Sequence, residues 1–430
     1  MNHYHLTTLD SGLRVVTVPM PSVKSVTVLA MVGVGSRSEP DAVAGIAHFL
    51  EHLVFKGTKN YPEPTSISTT IDSVGGDYNA FTGKDYTGYY IKVASKHLEL
   101  AIDVVSDMLL EPLLPEVEIE KEKGVIVEEI NMHTDDPRWH VSDVYDNVIF
   151  GSSPLGRDII GFKQTVKDTN KKNILDFLDD WYSLNNVVLV IAGDESIVSD
   201  QESVVNKYFS KGSKRNGEGK RQHNVPDQAK PQLNIVHRAT EQAHFYLGIP
   251  AIARNHPDRF NLSVLSTLLG GNSSARLFTE IREKRGLAYY AYASSSSFTD
   301  TGTLYAFEGV DPSRVEKAIK VTLEQFQAVT NQALSLQGGV NEEEVTRAKD
   351  FLTGKLILDW EDSHSLAQTY ARKLLLENKI ETPEEILNSI KKVNLADVVK
   401  LAKKLFDPKK LNLALIGPFK DKEKFEKLIS

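Results

Sequence analysis

Along the chain the order of strands and helices occurs twice, once on each side of a polar stretch at residues 210–232. A chain of 430 residues exceeds what one hydrophobic core ordinarily supports, and a repeated order of elements says where it divides. In the first half an apolar strand at 25–34 leads through a polar turn into an apolar helix near 45–55; the second half repeats this at 244–253 and 260–269. Each pair is followed by a further helix, 65–74 and 274–284, and by Tyr- and Thr-rich strand pairs, 77–93 and 287–310. Then come an amphipathic helix, 96–110 and 312–329, a long charged helix, 115–132 and 341–360, and a late apolar strand, VVLVIAG at 187–193 and LNLALIG at 411–417. Strands and helices alternate without a strict βαβ rhythm. The pattern therefore predicts an α+β fold of two homologous domains, 1–209 and 233–430, each a mostly antiparallel sheet with helices packed on one face. Residues 210–232, rich in Gly, Lys, Asn and Pro and free of apolar periodicity, read as the linker.

Apolar residues make up 41% and charged residues 25%, the balance of a globular protein rather than a disordered or fibrous one. A formal charge of −8 argues against a nucleic-acid partner. The absence of cysteine removes thiolate metal sites and leaves nitrogen and oxygen donors. The opening MNHYHLTTLDSGLRVVTV reads as a hairpin with Asp10, Ser11 and Gly12 in the turn, without the basic and apolar regions of an export signal. No apolar run reaches the roughly 18 residues that span a bilayer. The expectation is a soluble, cytoplasmic protein with no membrane partner.

Chemistry concentrates in the first apolar helix, GIAHFLEHLVF. His48 and His52 are four apart, so both imidazoles stand on one helical face within reach of a single ion, a spacing that suits zinc. Glu51 projects near the edge of that face, placed to take a proton from a metal-activated water. Three ionisable groups in a mainly apolar segment are costly unless paired or metal-bound. A catalytic zinc takes three protein ligands and leaves one position for water. The charged helix, with the run EKEKGVIVEEINM, offers Glu122 and Glu129 two turns apart on one face, and Glu128 about a quarter turn away. Pattern alone does not choose among them.

HFLEH followed at this distance by EEINMHTDDP resembles the HxxEH peptidases, the pitrilysin and insulinase type whose motif inverts HExxH. GDYNAFTGKDYT and IREKRGLAYY extend the likeness over nearly the whole chain. The length and single pair of repeats are similar to the processing-peptidase-like subfamily, whose members form two-subunit clamshells. The resemblance implies His48, His52 and Glu129 as ligands of one Zn2+ per chain, Glu51 as general base and Glu122 as a supporting carboxylate, with Glu128 a second choice. His133 matches no family ligand. It further implies that Asn79, Ala80, Phe81 and Thr82 form a strand on which peptide substrates pair, and that Arg282 and Tyr289 reach the substrate and the reacting carbonyl. The second-half counterpart of HFLEH, FNLSVLSTLLGG, has no ligand. The function implied is zinc-dependent endopeptidase action on peptides or unfolded segments by a homodimer. The alternative is a non-catalytic or partner-dependent subunit of a processing-peptidase-like complex, against which the intact HFLEH and Glu129 speak.

Overall fold

The computed structural model describes residues 4–199, 201–210, 215, 217, 219, 227–332 and 338–430, so most of the expected linker lies outside the described residues. In chain order the first half forms β1 (His5–Thr8), β2 (Arg14–Met20), β3 (Ser25–Val32), α1 (Ile46–Leu53), α2 (Ser66–Asp72), β4 (Asp77–Thr82), β5 (Thr87–Ala94), α3 (Leu98–Leu110), α4 (Glu116–Asp135), α5 (Pro137–Phe150) and β6 (Val187–Asp194). The second half forms β7 (Gln232–His237), β8 (Ala243–Ala251), α6 (Arg259–Gly270), a π-helical turn at Phe278–Glu283, β9 (Ala288–Ser297), β10 (Gly302–Val310), α7 (Val315–Ala328), α8 (Glu342–Trp360), α9 (Ser363–Glu377) and β11 (Asn412–Gly417). Shorter helices complete both halves. Among the described residues no helix is long and apolar enough to cross a membrane.

The strands form two sheets, ordered β1-β2-β6-β3-β5-β4 and β7-β11-β8-β10-β9. With β1 set aside, the two orders superpose strand for strand, and so does the sense of each pairing. β2 runs parallel to β6 and β7 parallel to β11, and every other step is antiparallel. Each parallel step joins the first long strand of a half to its last. No hairpin links these strands, so no tight turn forces them antiparallel. The duplicated α+β architecture is the one the repeated pattern predicts. β4 and β9, the counterparts, each lie at the edge of a sheet.

Alternation along β3 explains the layering. Val26, Val28, Ala30 and Val32 point into a core shared with α1 and α3, while Thr27 points the other way and its hydroxyl meets Ser363 of α9 at 2.8 Å. Beyond the helical layer expected on one face, the sheet thus carries one further helix on its opposite face. β6, VVLVIAGD, is buried along its whole length, as a central strand covered on both faces must be.

The compact units draw on both halves of the chain. One comprises Met1–Asn131, Asp158–Gln222 and Ile357–Glu385; the other comprises Met132–Arg157, His223–Leu356 and Ile386–Ser430. Compared with the expected 1–209 and 233–430, residues 132–157 and 357–385 change sides. α9 packs on β2, β3 and β6, and α5 packs on β7, β8 and β11. Both exchanged helices start at an aspartate cap. Asp136 accepts from the Arg138 N–H at 2.8 Å, and Asp362 from the Ser365 N–H at 2.9 Å.

In the second unit Glu308 of β10 is fully buried, and its Oε1 accepts a hydrogen bond from Thr322 of α7 at 2.6 Å. Burial, partly offset by that bond, pushes its carboxyl up to about 8. The folded-state value lies above the unfolded one. The stability it contributes is therefore fully present below the ordinary glutamate value and is lost as pH rises through about 8. Glu308→Gln should flatten this dependence. In urea unfolding at pH 5 and pH 9, the parent protein should lose on the order of 3 kcal/mol more than the variant between the two conditions.

Candidate metal centre

Helix α1 is short and held at its start. Gly45 precedes it at φ +95°, a left-handed conformation, and a Cβ there would lie 2.6 Å from the Ile160 carbonyl oxygen, so glycine is required twice over. Two of the N–H groups at its start, where no partner exists within the helix, are met by Glu39. Its Oε2 accepts from Gly45 N–H at 2.7 Å and its Oε1 from Ala47 N–H at 2.8 Å. Ile46, Ala47, Phe49, Leu50 and Leu53 are buried in the core. With the helix fixed in rotation, His48 and His52 share a face with ring centroids 4.6 Å apart.

Helix α4 turns Ile119, Glu122, Ile126 and Ile130 inward, leaves Glu128 exposed and sets Glu129 at the margin. The Oε2 of Glu129 lies 3.6 Å from the Nε2 of His48 and 3.6 Å from the Nε2 of His52. Donor atoms of the three residues all fall within 4.8 Å of one another, and no second such group occurs among the described residues. Tetrahedral zinc with bonds of about 2.0–2.1 Å sets its ligands ~3.3 Å apart. Two imidazole nitrogens and a carboxylate oxygen at these separations therefore fit a zinc ion. His133 is not part of the group.

Glu122, the carboxylate expected in a supporting role, is also close to the group. Glu122, buried, accepts at Oε1 from Nδ1 of His52 at 2.9 Å, while its Oε2 meets Lys56 Nζ at 3.0 Å. The hydrogen bond places the His52 proton on Nδ1 and leaves Nε2, which faces Glu129, as the donor to a metal. For His52, burial alone would lower the pKa, but the Glu122 hydrogen bond and the carboxylates of Glu129 and Glu51 outweigh it and raise it. Burial raises Glu122, and its bonds to His52 and Lys56 more than reverse that. Nδ1 of His48 is buried with no hydrogen-bond partner among the described residues, so only one imidazole has its tautomer set this way.

Glu51 is held from the edge strand. The Thr82 hydroxyl donates to its Oε2 at 2.6 Å. Within β4, Ala80 joins the core beside α1, Phe81 lies on the other face toward Tyr86 and His364, and Asn79 accepts from the Ala80 N–H. Arg282 and Tyr289 come together in the second unit. The guanidinium donates to the Tyr289 carbonyl at 2.8 Å and stacks over the Phe278 and Tyr289 rings, and Tyr289 is 73% exposed. Sequence reasoning missed Glu39 and Lys56. The only available signals were an acid ahead of a helix and a lysine one turn past His52.

A family model described as Insulinase (Peptidase family M16) matches residues 14–182, and one described as Peptidase M16 inactive domain matches 168–352. A Streptomyces coelicolor protein named as an uncharacterized zinc protease is 37% identical, covering 97% of this chain and 90% of that one. The chain belongs to peptidase family M16. A Bacillus subtilis protein, YmxG, likewise named an uncharacterized zinc protease, is 34% identical over 96% of this chain and 97% of its own. The crystal structure of a Helicobacter pylori protease, 25% identical, superposes with a TM-score of 0.90 over 97% of this chain and all of that one. A Pseudomonas fluorescens M16 inactive domain, 16% identical, shares the fold at a TM-score of 0.84. The M16 insulinase match spans His48, His52 and Glu129. The inactive-domain match covers α6, where Ser263, Ser266 and Thr267 line a cavity of about 400 Å3 and no histidine or glutamate occurs.

Glu122→Gln removes the charge that holds the His52 proton, and should weaken zinc binding by about 10–100-fold in chelator-competition titrations. For the parent protein, protons compete with the metal for His52. Its raised pKa makes zinc affinity begin to fall, on acidification, at a pH above the ordinary histidine value of 6.5.

Proposed function

We propose that the chain is a zinc-dependent endopeptidase that hydrolyses peptides or unfolded segments. The observation that carries this reading is the convergence of two imidazoles from one turn of α1 and a carboxylate from α4 on a common point. A carboxylate that is not part of that group, Glu51, stands on the same helix. The zinc-protease names of relatives matched over nearly the whole chain support it.

His48, His52 and Glu129 would hold one zinc per chain. Zinc in such a donor set lowers the pKa of the water it binds to about 7 and polarises a carbonyl oxygen. The chain's own residues supply the proton transfers. Glu51 takes a proton from the attacking water and returns it to the departing amine, so no covalent enzyme intermediate is needed. Arg282 and Tyr289 are assigned to the developing oxyanion, for which an N–H fork and a phenol are suitable donors. The outer edge of β4, residues 79–82, takes the substrate as an added strand; main-chain pairing grips a peptide with little regard to its side chains. Two chains assemble into a homodimer, an expectation that light scattering reporting a monomer at micromolar concentration would remove.

Glu51→Gln is the direct test. The variant should bind zinc as the parent does while cleavage of an unstructured peptide drops by about 10^2–10^4-fold. A chelator should abolish the parent's cleavage and added zinc restore it. Unchanged cleavage in the variant, or cleavage insensitive to the chelator, overturns the reading.

A further inference from the structure

We infer that Thr82 is a positioning residue for the general base: its hydroxyl holds Oε2 of Glu51 and thereby leaves Oε1 to face the attacking water. The inference rests on the endopeptidase reading and gives Thr82 a task separate from peptide pairing. Pairing of an added strand uses main-chain groups, so the side chain of a strand residue is available for other work. Alternation along β4 sends Ala80 and Thr82 toward α1, and Thr82 reaches Glu51 at 2.6 Å. A hydroxyl donating to a carboxylate at that distance is a charge-assisted bond, stronger than a neutral one. It restrains the carboxylate of a side chain that has three rotatable bonds.

The donor is itself held from behind. Thr82 pairs with Thr87, and the turn beyond it closes with the Gly83 N–H donating to Tyr86 O at 2.8 Å. Ser36 N–H donates to Gly83 O at 3.0 Å and Arg37 N–H to Lys84 O at 3.1 Å. The buried pair of Arg37 and Asp85, 3.1 Å apart, pins the same turn. Misplacement of a catalytic group by about 1 Å can cost 10^2-fold in rate, so the role assigned to Thr82 is one that kinetics can measure.

The test compares Thr82→Val and Thr82→Ser in the parent and in the Glu51→Gln background. Thr82→Val should lower kcat by about 10–100-fold, with KM and zinc affinity by chelator competition unchanged within about twofold. Thr82→Ser, which keeps the hydroxyl, should recover to within about threefold of the parent. On Glu51→Gln, the valine substitution should add nothing, because the two residues act as one unit. The inference is overturned by a valine variant with parental kcat, by a loss that appears in KM alone, by a serine variant as slow as valine, or by a full additional loss on Glu51→Gln. An inactive Glu51→Gln beside a fully active Thr82→Val sinks only the role of Thr82. A fully active Glu51→Gln removes the general base itself, and this inference with it.

Discussion

The geometry of the first unit depends on one short loop that buries opposite charges two residues apart. Glu39, 1% exposed, spans the start of α1 with both carboxylate oxygens, and Arg37, 2% exposed, is paired with Asp85 in the turn between β4 and β5. A helix cap is worth about 1 kcal/mol, and removing one partner of a buried ion pair costs about 3–5 kcal/mol. Energy alone would make the loop a structural feature. Its position makes it more, because the helix it caps bears His48, Glu51 and His52, and the turn it pins ends the strand bearing Thr82. Gly35 permits the approach; a Cβ there would lie 2.2 Å from the Gly83 carbonyl oxygen.

How much of this was legible in the sequence follows from how local each feature is. His48 and His52 could be placed together from spacing alone, since four residues on a helix return to one face. The strand and helix order of each half could be read because apolar periodicity is local, and the duplication because it repeats that order. The third carboxylate could not be chosen from the pattern of the helix; only the family resemblance pointed to Glu129. α4 carries acids along its length, and its apolar residues point both ways: Ile126 is buried, while Val117, Val125 and Met132 are more than half exposed. Only packing against α1 separates Glu122, which meets Nδ1 of His52, from Glu129, which faces both Nε2 atoms. The parallel step in each sheet and the pairing of Lys56 with Glu122 depend on chain segments brought together by the fold, for which no local pattern exists, and the cap from Glu39, though only six to eight residues away, left no signal beyond an acid ahead of a helix.

The two halves show how a shared scaffold can keep its shape while differing in chemistry. Strand order and sense agree at every step from β2 and from β7 onward. α1 and α6 follow equivalent strands, yet one presents imidazoles and a carboxylate and the other hydroxyls and leucines. The sheet needs only an apolar helical face in either case, and the residues that distinguish the halves lie where packing leaves a choice.

The helix that each half contributes to the other unit has a consequence for how such a chain can be divided. Cutting between the halves would strip the outer layer from both sheets, exposing Thr27, Leu29 and Met31 of one and Ala414 and Ile416 of the other to water. Neither fragment would be an autonomous module. Each half thus lends its outer helix to the sheet of the other, the kind of exchange of equivalent elements that two separate copies make in a domain-swapped dimer, here carried within a single chain.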